Sequence, residues 1–261
     1  MSATVIERRE YKYLIDNAMA TALRAAIKPF CELDGFAARS PSRSYTVESL
    51  YFDTPDLSLF WANHHEQCDR IKMRVRGYAE APTAPVYFEV KRRINDVISK
   101  SRGRVPRALW AGLLADPRAP LPAEISGHDR GAVERFVALV RTLHVKPFTL
   151  VRYLREPYFS TIDDYARVTF DRHICAHRLE TLSLVPSGGG WRPLDDGVTQ
   201  RSVDSMVVLE LKFTNYVPLW LSNLARTFGL VRGAFSKYGT SIAAFFRPHG
   251  MRTPCTDRGW A

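Results

Sequence analysis

Alternation is the pattern that most constrains this chain. In Pro85-Val86-Tyr87-Phe88-Glu89-Val90-Lys91-Arg92-Arg93 the apolar Val86, Phe88 and Val90 take every second position, with Tyr87, Glu89, Lys91 and Arg93 between them. Successive side chains of an extended strand point to opposite faces, so this stretch predicts a strand with one apolar and one charged face. Val207-Val208-Leu209-Glu210-Leu211-Lys212-Phe213 repeats the design, setting Glu210 and Lys212 against Val207, Leu209, Leu211 and Phe213. The sharpest case is Arg70-Ile71-Lys72-Met73-Arg74-Val75-Arg76, where Arg70, Lys72, Arg74 and Arg76 line one face. Several like charges on a buried or half-buried face require an anionic occupant or compensating carboxylates.

Bulk properties set the frame. A chain of 261 residues, 46% hydrophobic, can bury a substantial core, and no linker separates two halves. One domain over positions 1–250 is expected, followed by a flexible Pro/Gly-containing tail at 251–261. Lys and Arg exceed Asp and Glu by 37 to 27, a net +10 that favours anionic partners without choosing among phosphate chains, nucleic acid and lipid. Cys31, Cys68, Cys175 and Cys255 lack paired metal-binding spacing, so reduced thiols are expected. The absence of a leader-like amino terminus and of a long apolar run makes a soluble cytoplasmic protein the default expectation.

Further strands are predicted over 7–15, 45–55, 149–156 and 165–171. Helices are predicted from Ala18 to Lys28 after a cap at Asp16 or Asn17, from Leu57 to Asn63, from Pro106 to Leu114, from Asp129 to Leu143 and from Val217 to Phe228. Ser99-Lys100-Ser101-Arg102-Gly103-Arg104 is expected to be a flexible basic patch, and 185–202 a surface connection. His64 and His65 are expected at the surface, since two adjacent histidines do not make a specific metal site. Ser236-Lys237-Tyr238-Gly239 forms a small polar and cationic group ahead of an apolar segment, Ile242 to Phe246.

These elements predict an α+β fold: a mainly antiparallel β-barrel forming a wet, cation-lined tunnel, with helices packed on its apolar exterior. A phosphate chain suits such a lining. Glu89 and Glu210 can hold a divalent ion or serve as partners for the arginines. Arg152 and Arg167 are further cleft candidates.

Glu7…Glu10-Tyr11-Lys12-Tyr13, Ser49-Leu50-Tyr51-Phe52-Asp53, Lys72-Met73-Arg74-Val75-Arg76, Phe88-Glu89-Val90-Lys91, Arg152-Tyr153, Arg167, Leu209-Glu210-Leu211-Lys212 and Ser236-Lys237-Tyr238 together resemble the VTC domain of polyphosphate polymerases. That family lies within the CYTH-like triphosphate-tunnel metalloenzymes. The resemblance implies an antiparallel tunnel and synthesis of inorganic polyphosphate from ATP with release of ADP, supported by Mn2+ or Mg2+. It implies phosphate-gripping roles for Lys12, Arg74, Arg76, Lys91, Arg152, Arg167 and Lys237. Lys72, Tyr153, Lys212 and Ser236 would contribute to nucleotide and chain binding, with Tyr153 as an aromatic wall. Glu210 would be the principal metal ligand and Glu89 a second. The wider group commonly carries Glu, Glu and Lys at alternate positions of its first strand, where this chain has Arg8, Glu10 and Lys12. That departure weakens a hydrolase or cyclase reading. A tripolyphosphatase or nucleoside triphosphatase and a non-catalytic polyphosphate-binding module stay open as alternatives. No nucleic-acid reading motif accompanies the charge, and any membrane role would need a separate partner.

Overall fold

Antiparallel pairing of the alternating segments builds one sheet in the computed structural model, which describes residues 8–246 apart from positions 96, 164, 187, 215 and 234. Glu7 and the tail expected at 251–261 lie outside the described residues. The chain runs β1 (Arg8–Ile15), α1 (Asn17–Ile27), β2 (Cys31–Leu33), α2 (Gly35–Ala38), β3 (Tyr45–Asp53), α3 (Ser58–His64), β4 (Asp69–Tyr78), β5 (Val86–Ile94) and β6 (Val97–Val105). It continues through α4 (Trp110–Ala115), α5 (Gly127–Leu143), β7 (Lys146–Ser160), β8 (Arg167–Arg178), β9 (Arg192–Pro193), α6 (Gly197–Gln200), β10 (Val207–Thr214), α7 (Leu219–Thr227) and α8 (Lys237–Phe245).

The strand order is β1-β10-β8-β7-β3-β4-β5-β6, with β2 beside β7 and β9 beside β8. Among the described residues β1 and β6 do not pair, so the sheet is a curled, open half-barrel and not the closed barrel expected from sequence. Alternation fixes which face of each strand is apolar but carries no information on whether the last strand meets the first.

The apolar faces pack outward under helices. Met73, Val75, Phe88 and Val90 join α4 and α5 in one core, where Phe136 meets Phe88 and Phe52 at ring-centroid distances of 4.6 Å and 5.6 Å. Removing the Phe136 ring would cost about 3–5 kcal/mol. α5 lies so close to β6 that a Cβ on Gly103 would stand 2.8 Å from the Asp129 carbonyl oxygen, which explains a glycine in mid-strand. α1 and α7 cover Leu209, Leu211, Phe213 and Phe170 in a second core, and Asp16 caps α1 by accepting from the Met19 N–H.

The third core lies on the concave side. There Tyr238 and Ile242 of α8 pack with Tyr51, Val151, Tyr153 and Phe60, while Asp53 accepts from the Leu59 and Phe60 N–H groups and from the Tyr238 hydroxyl. This carboxylate ties α3 and α8 to the end of β3. The segment expected as a flexible basic patch is strand β6, paired residue for residue with β5. Positions 242–245 of the apolar stretch form the last part of α8, with Phe246 extended just beyond its end, and the Ser236 hydroxyl caps its start. His64 and His65 stack on Phe60 and Trp61. Cys31, Cys68 and Cys175 are free thiols.

Candidate active site in the concave face

Side chains directly opposed in antiparallel strands share a face, so the register defines what lines the trough. Tyr51, Arg74, Glu89 and Arg102 form one row across β3, β4, β5 and β6. Lys72, Lys91 and Lys100 form the next. On the other wall Lys12 opposes Glu210 and Thr169, while Glu10 opposes Lys212 and Arg167. The curl brings the walls together, because Glu10 on β1 feels the charge of Lys91 on β5.

Two carboxylate centres organise the cations. Glu89, 3% exposed, sits among Arg74 at 2.7 Å, Arg102 at 3.3 Å, Lys100 at 3.4 Å and Arg76 at 3.7 Å. Burial alone would raise its carboxyl, but Arg74, Arg76 and Lys100 hold it well below the usual carboxylate range. Arg74 also donates to the Tyr51 hydroxyl at 3.0 Å.

The second centre is a pair, Asp171 and Glu210. Arg155 donates two 2.7 Å bonds to Asp171 and reaches Glu210 at 3.2 Å. Lys237 bridges the same carboxylates at 2.6 Å and 3.3 Å, and Lys212 lies 2.5 Å from Glu210. Against burial, Lys212, Lys237, Arg155 and Lys12 hold Glu210 well below the usual range. Against its own burial, Lys237 is held above the ordinary lysine value by Asp171 and Glu210. Tyr153, 1% exposed, lies beneath both cations, 4.6 Å from the Lys237 nitrogen and 5.3 Å from the Arg155 guanidinium.

The lysine row is different in kind. Among the described residues neither Lys72 nor Lys91 forms an ion pair, and Lys72 reaches only the Ser236 hydroxyl at 3.5 Å. Desolvation, with Lys12, Lys91, Arg70 and Arg74 nearby, brings Lys72 down to about 7. Desolvation, only partly offset by Glu89, takes Lys100 to about 8, and it lowers Lys91 as well. Three like charges in register on adjacent strands repel one another, and an anion would relieve the repulsion.

Lys12, at the wall opposite, lies 3.2 Å from Glu10 and 3.8 Å from Glu210 and donates to the Phe235 carbonyl at 3.4 Å. Burial and the Glu210 charge push Glu10 up, yet Lys12, Lys212 and Lys91 outweigh them and bring it down to about 2.

The trough thus gathers Lys12, Lys72, Arg74, Arg76, Glu89, Lys91, Glu210, Lys212, Ser236 and Lys237, with Tyr153 packed beneath. Arg167 opposes Lys212 and stacks on Phe159 and Tyr165, at 4.3 Å and 4.9 Å. Arg152 is not among them. It lies on the other face, donating to Glu48 at 2.7 Å and stacking over Trp191 at 4.4 Å. Arg155 takes the trough position, because it shares strand parity with Tyr153 and Arg152 does not. Asp171 also enters without having been named as a site residue, and Lys100 and Arg102, expected in a flexible basic patch, enter from strand β6. Parity with Tyr153 and Arg167 was the available signal for Arg155 and Asp171; Lys100 and Arg102 became legible only once β6 is a strand.

Fold and site together define an α+β protein whose open antiparallel sheet carries a trough in which, among the described residues, cations outnumber carboxylates and Lys72 and Lys91 stand outside the ion pairs, an arrangement suited to a polyanion. The VTC domain family model matches residues 7–246, and the chain belongs to that family. It is thereby placed among the CYTH-like tunnel proteins, a group that includes polymerases, cyclases and phosphatases. Remote structural similarity extends to a proposed adenylate cyclase from Bacillus halodurans, at 12% identity over 92% of this chain and 97% of that one, with a TM-score of 0.49. Another proposed adenylate cyclase, from Vibrio parahaemolyticus, gives 11% identity over 90% and 97%, with a TM-score of 0.45. No curated protein matches the sequence. Among the described residues no helix is long and apolar enough to cross a membrane.

Proposed function

We propose that this protein is a metal-dependent polyphosphate polymerase that transfers the γ-phosphoryl group of ATP to a growing inorganic polyphosphate chain and releases ADP. The observation that carries the reading is the in-register row Lys72, Lys91 and Lys100 beside the Asp171, Glu210 and Lys237 cluster. A row of lysines can follow the repeating negative oxygens of a phosphate chain, and the arginines of the adjoining row fit the terminal phosphates of a nucleotide.

In the transfer, a terminal oxygen of the chain attacks the γ-phosphorus, a new P–O bond forms, and the bond to the β-phosphate oxygen breaks. Charge gathers on the equatorial oxygens and on the departing ADP. Arg74, Arg76 and Arg155 are already oriented by Glu89 and Asp171 and need little rearrangement to meet that charge. Lys237, kept protonated by its two carboxylates, stabilises the leaving oxygen. Lys12, Lys72 and Lys91 hold the acceptor chain in line.

Glu210 and Glu10 suit a divalent ion: both offer hard oxygen donors, they repel each other across Lys12, and Glu10 stands at the exposed rim. Glu89 is ringed by four cations as Glu210 is, but it has no neighbouring carboxylate such as Glu10 to share an ion among the described residues, so it serves as an internal counter-ion. Mg2+ or Mn2+ held by Glu210 and Glu10 would act as a Lewis acid and draw off phosphoryl negative charge.

Incubation of the purified protein with ATP and Mn2+ or Mg2+, followed by separation of products by chain length, tests the reading. Long phosphate polymers and stoichiometric ADP are expected. Orthophosphate without extension would identify a hydrolase, and binding without either product a carrier module.

A further inference from the structure

Three tyrosines from adjacent strands close one end of the trough. Tyr45 on β3, Tyr78 on β4 and Tyr87 on β5 meet edge to face, with centroids 5.6 Å and 6.1 Å apart at interplanar angles of 74° and 80°. Phe36 of α2 continues the series against Tyr45 at 5.5 Å. Register puts the tyrosines on the concave face: Tyr45 opposes Arg155, Tyr87 opposes Arg76, and Tyr78 follows Arg76 by two positions. Unlike Phe52, Phe88 and Phe136 beneath α5, these three rings are only half-buried, and the Arg102 guanidinium lies 3.7 Å from the centre of Tyr87. That guanidinium covers one face of Tyr87, and its own half-exposed outer side, next to Tyr78, is a setting in which a flat, π-rich group stacks.

Spacing supplies the second argument. Tyr78 lies four residues beyond Arg74 on β4, roughly 13 Å at the rise of an extended strand. That is close to the reach of an extended nucleoside triphosphate from its base to its terminal phosphate. Lys72 and Lys91 lie further along, on the side away from the rings.

The geometry points to Tyr78 and Tyr87, backed by Tyr45, as the platform for the base of a nucleoside triphosphate, with the lysine row left to the acceptor chain. This assignment rests on the polymerase reading and gives the trough a polarity: donor base at the tyrosines, growing chain at the lysines. It also sets specificity. Ring faces are sequence-tolerant and do not read the hydrogen-bonding edges of a base, so adenine and guanine are accepted alike while a donor without a base is disfavoured.

Calorimetric titration with ATP, GTP and inorganic tripolyphosphate tests the assignment independently of turnover. The wild-type protein is expected to bind ATP and GTP within about threefold of each other and each roughly tenfold or more tighter than tripolyphosphate. Tyr78→Ala and Tyr87→Ala should remove that preference and leave tripolyphosphate affinity within about twofold, whereas Tyr78→Phe should retain it. Tyr87→Ala carries the test if Tyr78→Ala fails to fold, as judged by circular dichroism. Equal wild-type affinity for ATP and tripolyphosphate, or parallel weakening of all three ligands in the alanine variants, would overturn the platform. Polymer synthesis accompanied by no base preference would overturn the platform alone. Base preference without polymer synthesis would overturn the polymerase reading alone, and failure to bind any of the three would overturn both.

Discussion

Replacing Asp171 by Asn tests whether the trough is held together by its own counter-ions. The carboxylate is fully buried and takes two bonds from Arg155 and one from Lys237, neither of which has ready access to water. Asparagine keeps the shape and removes the charge. Taking one partner from a buried ion pair typically costs about 3–5 kcal/mol, because the remaining charge stays desolvated and unpaired. Here Glu210 still lies 3.2 Å from Arg155 and 3.3 Å from Lys237, so compensation is partial and the lower end, about 3 kcal/mol, applies. For a chain of this size that corresponds to a fall in melting temperature of roughly 6–12 °C. Scanning calorimetry of the two proteins at neutral pH and low salt measures it. The variant trough is also one charge more positive, so saturating tripolyphosphate should raise its melting temperature at least as much as that of the wild type. A variant melting within about 2 °C of the wild type, or one stabilised less by tripolyphosphate, would refute this account of the cluster.

Three further outcomes follow from the same charges. Lys72, lowered to about 7, should regain its proton when a polyanion arrives, so binding at pH 8 takes up protons; titrations in buffers of different ionisation heat should show the uptake, and Lys72→Met should abolish most of it. Arg155→Ala should weaken tripolyphosphate binding about tenfold or more, while Arg152→Ala leaves it unchanged and lowers thermal stability, because Glu48, 2% exposed, loses its ion-pair partner and Trp191 its stacked guanidinium. Glu89 has a folded-state pKa below its unfolded one, so its stabilisation is full above about pH 4.3 and is lost as pH falls below that value. Glu89→Gln should therefore flatten the acid side of the melting-temperature profile, and an unchanged acid limb would count against the assignment.

The sequence exposes the faces of this sheet better than its outline. Arg74, Arg76 and Glu89 could be placed together because a period of two survives in each strand, and Lys212 and Glu210 follow the same rule. The helix 129–143 and the short helix after Asp53 were legible from apolar spacing. What failed did so for local reasons. β6 holds Ser, Lys, Arg and Gly where strands ordinarily carry branched or aromatic residues, and its register comes from β5 and its footing from α5, neither visible in a short window. Arg152 is a candidate through the Arg152-Tyr153 resemblance, whereas parity with Tyr153 selects Arg155. Closure of the barrel depends on long-range curvature and on two edges that never share a local pattern.

Those edges have a consequence for solubility. β6 ends the strand order, and a nine-residue strand whose outer edge has no partner among the described residues is a template on which another molecule can add a strand. Lys100, Arg102 and Arg104 stand at alternate positions along it, and Val97 and Ile98 are exposed at its start. Lys100 and Arg102, which face the trough, and Arg104, which pairs with Asp129 of α5, set like charges against any second copy arriving at the seam. Neutralising them to probe the chemistry would also strip a barrier to self-association, so such variants should become prone to stacking edge on edge as their affinity for polyanions falls.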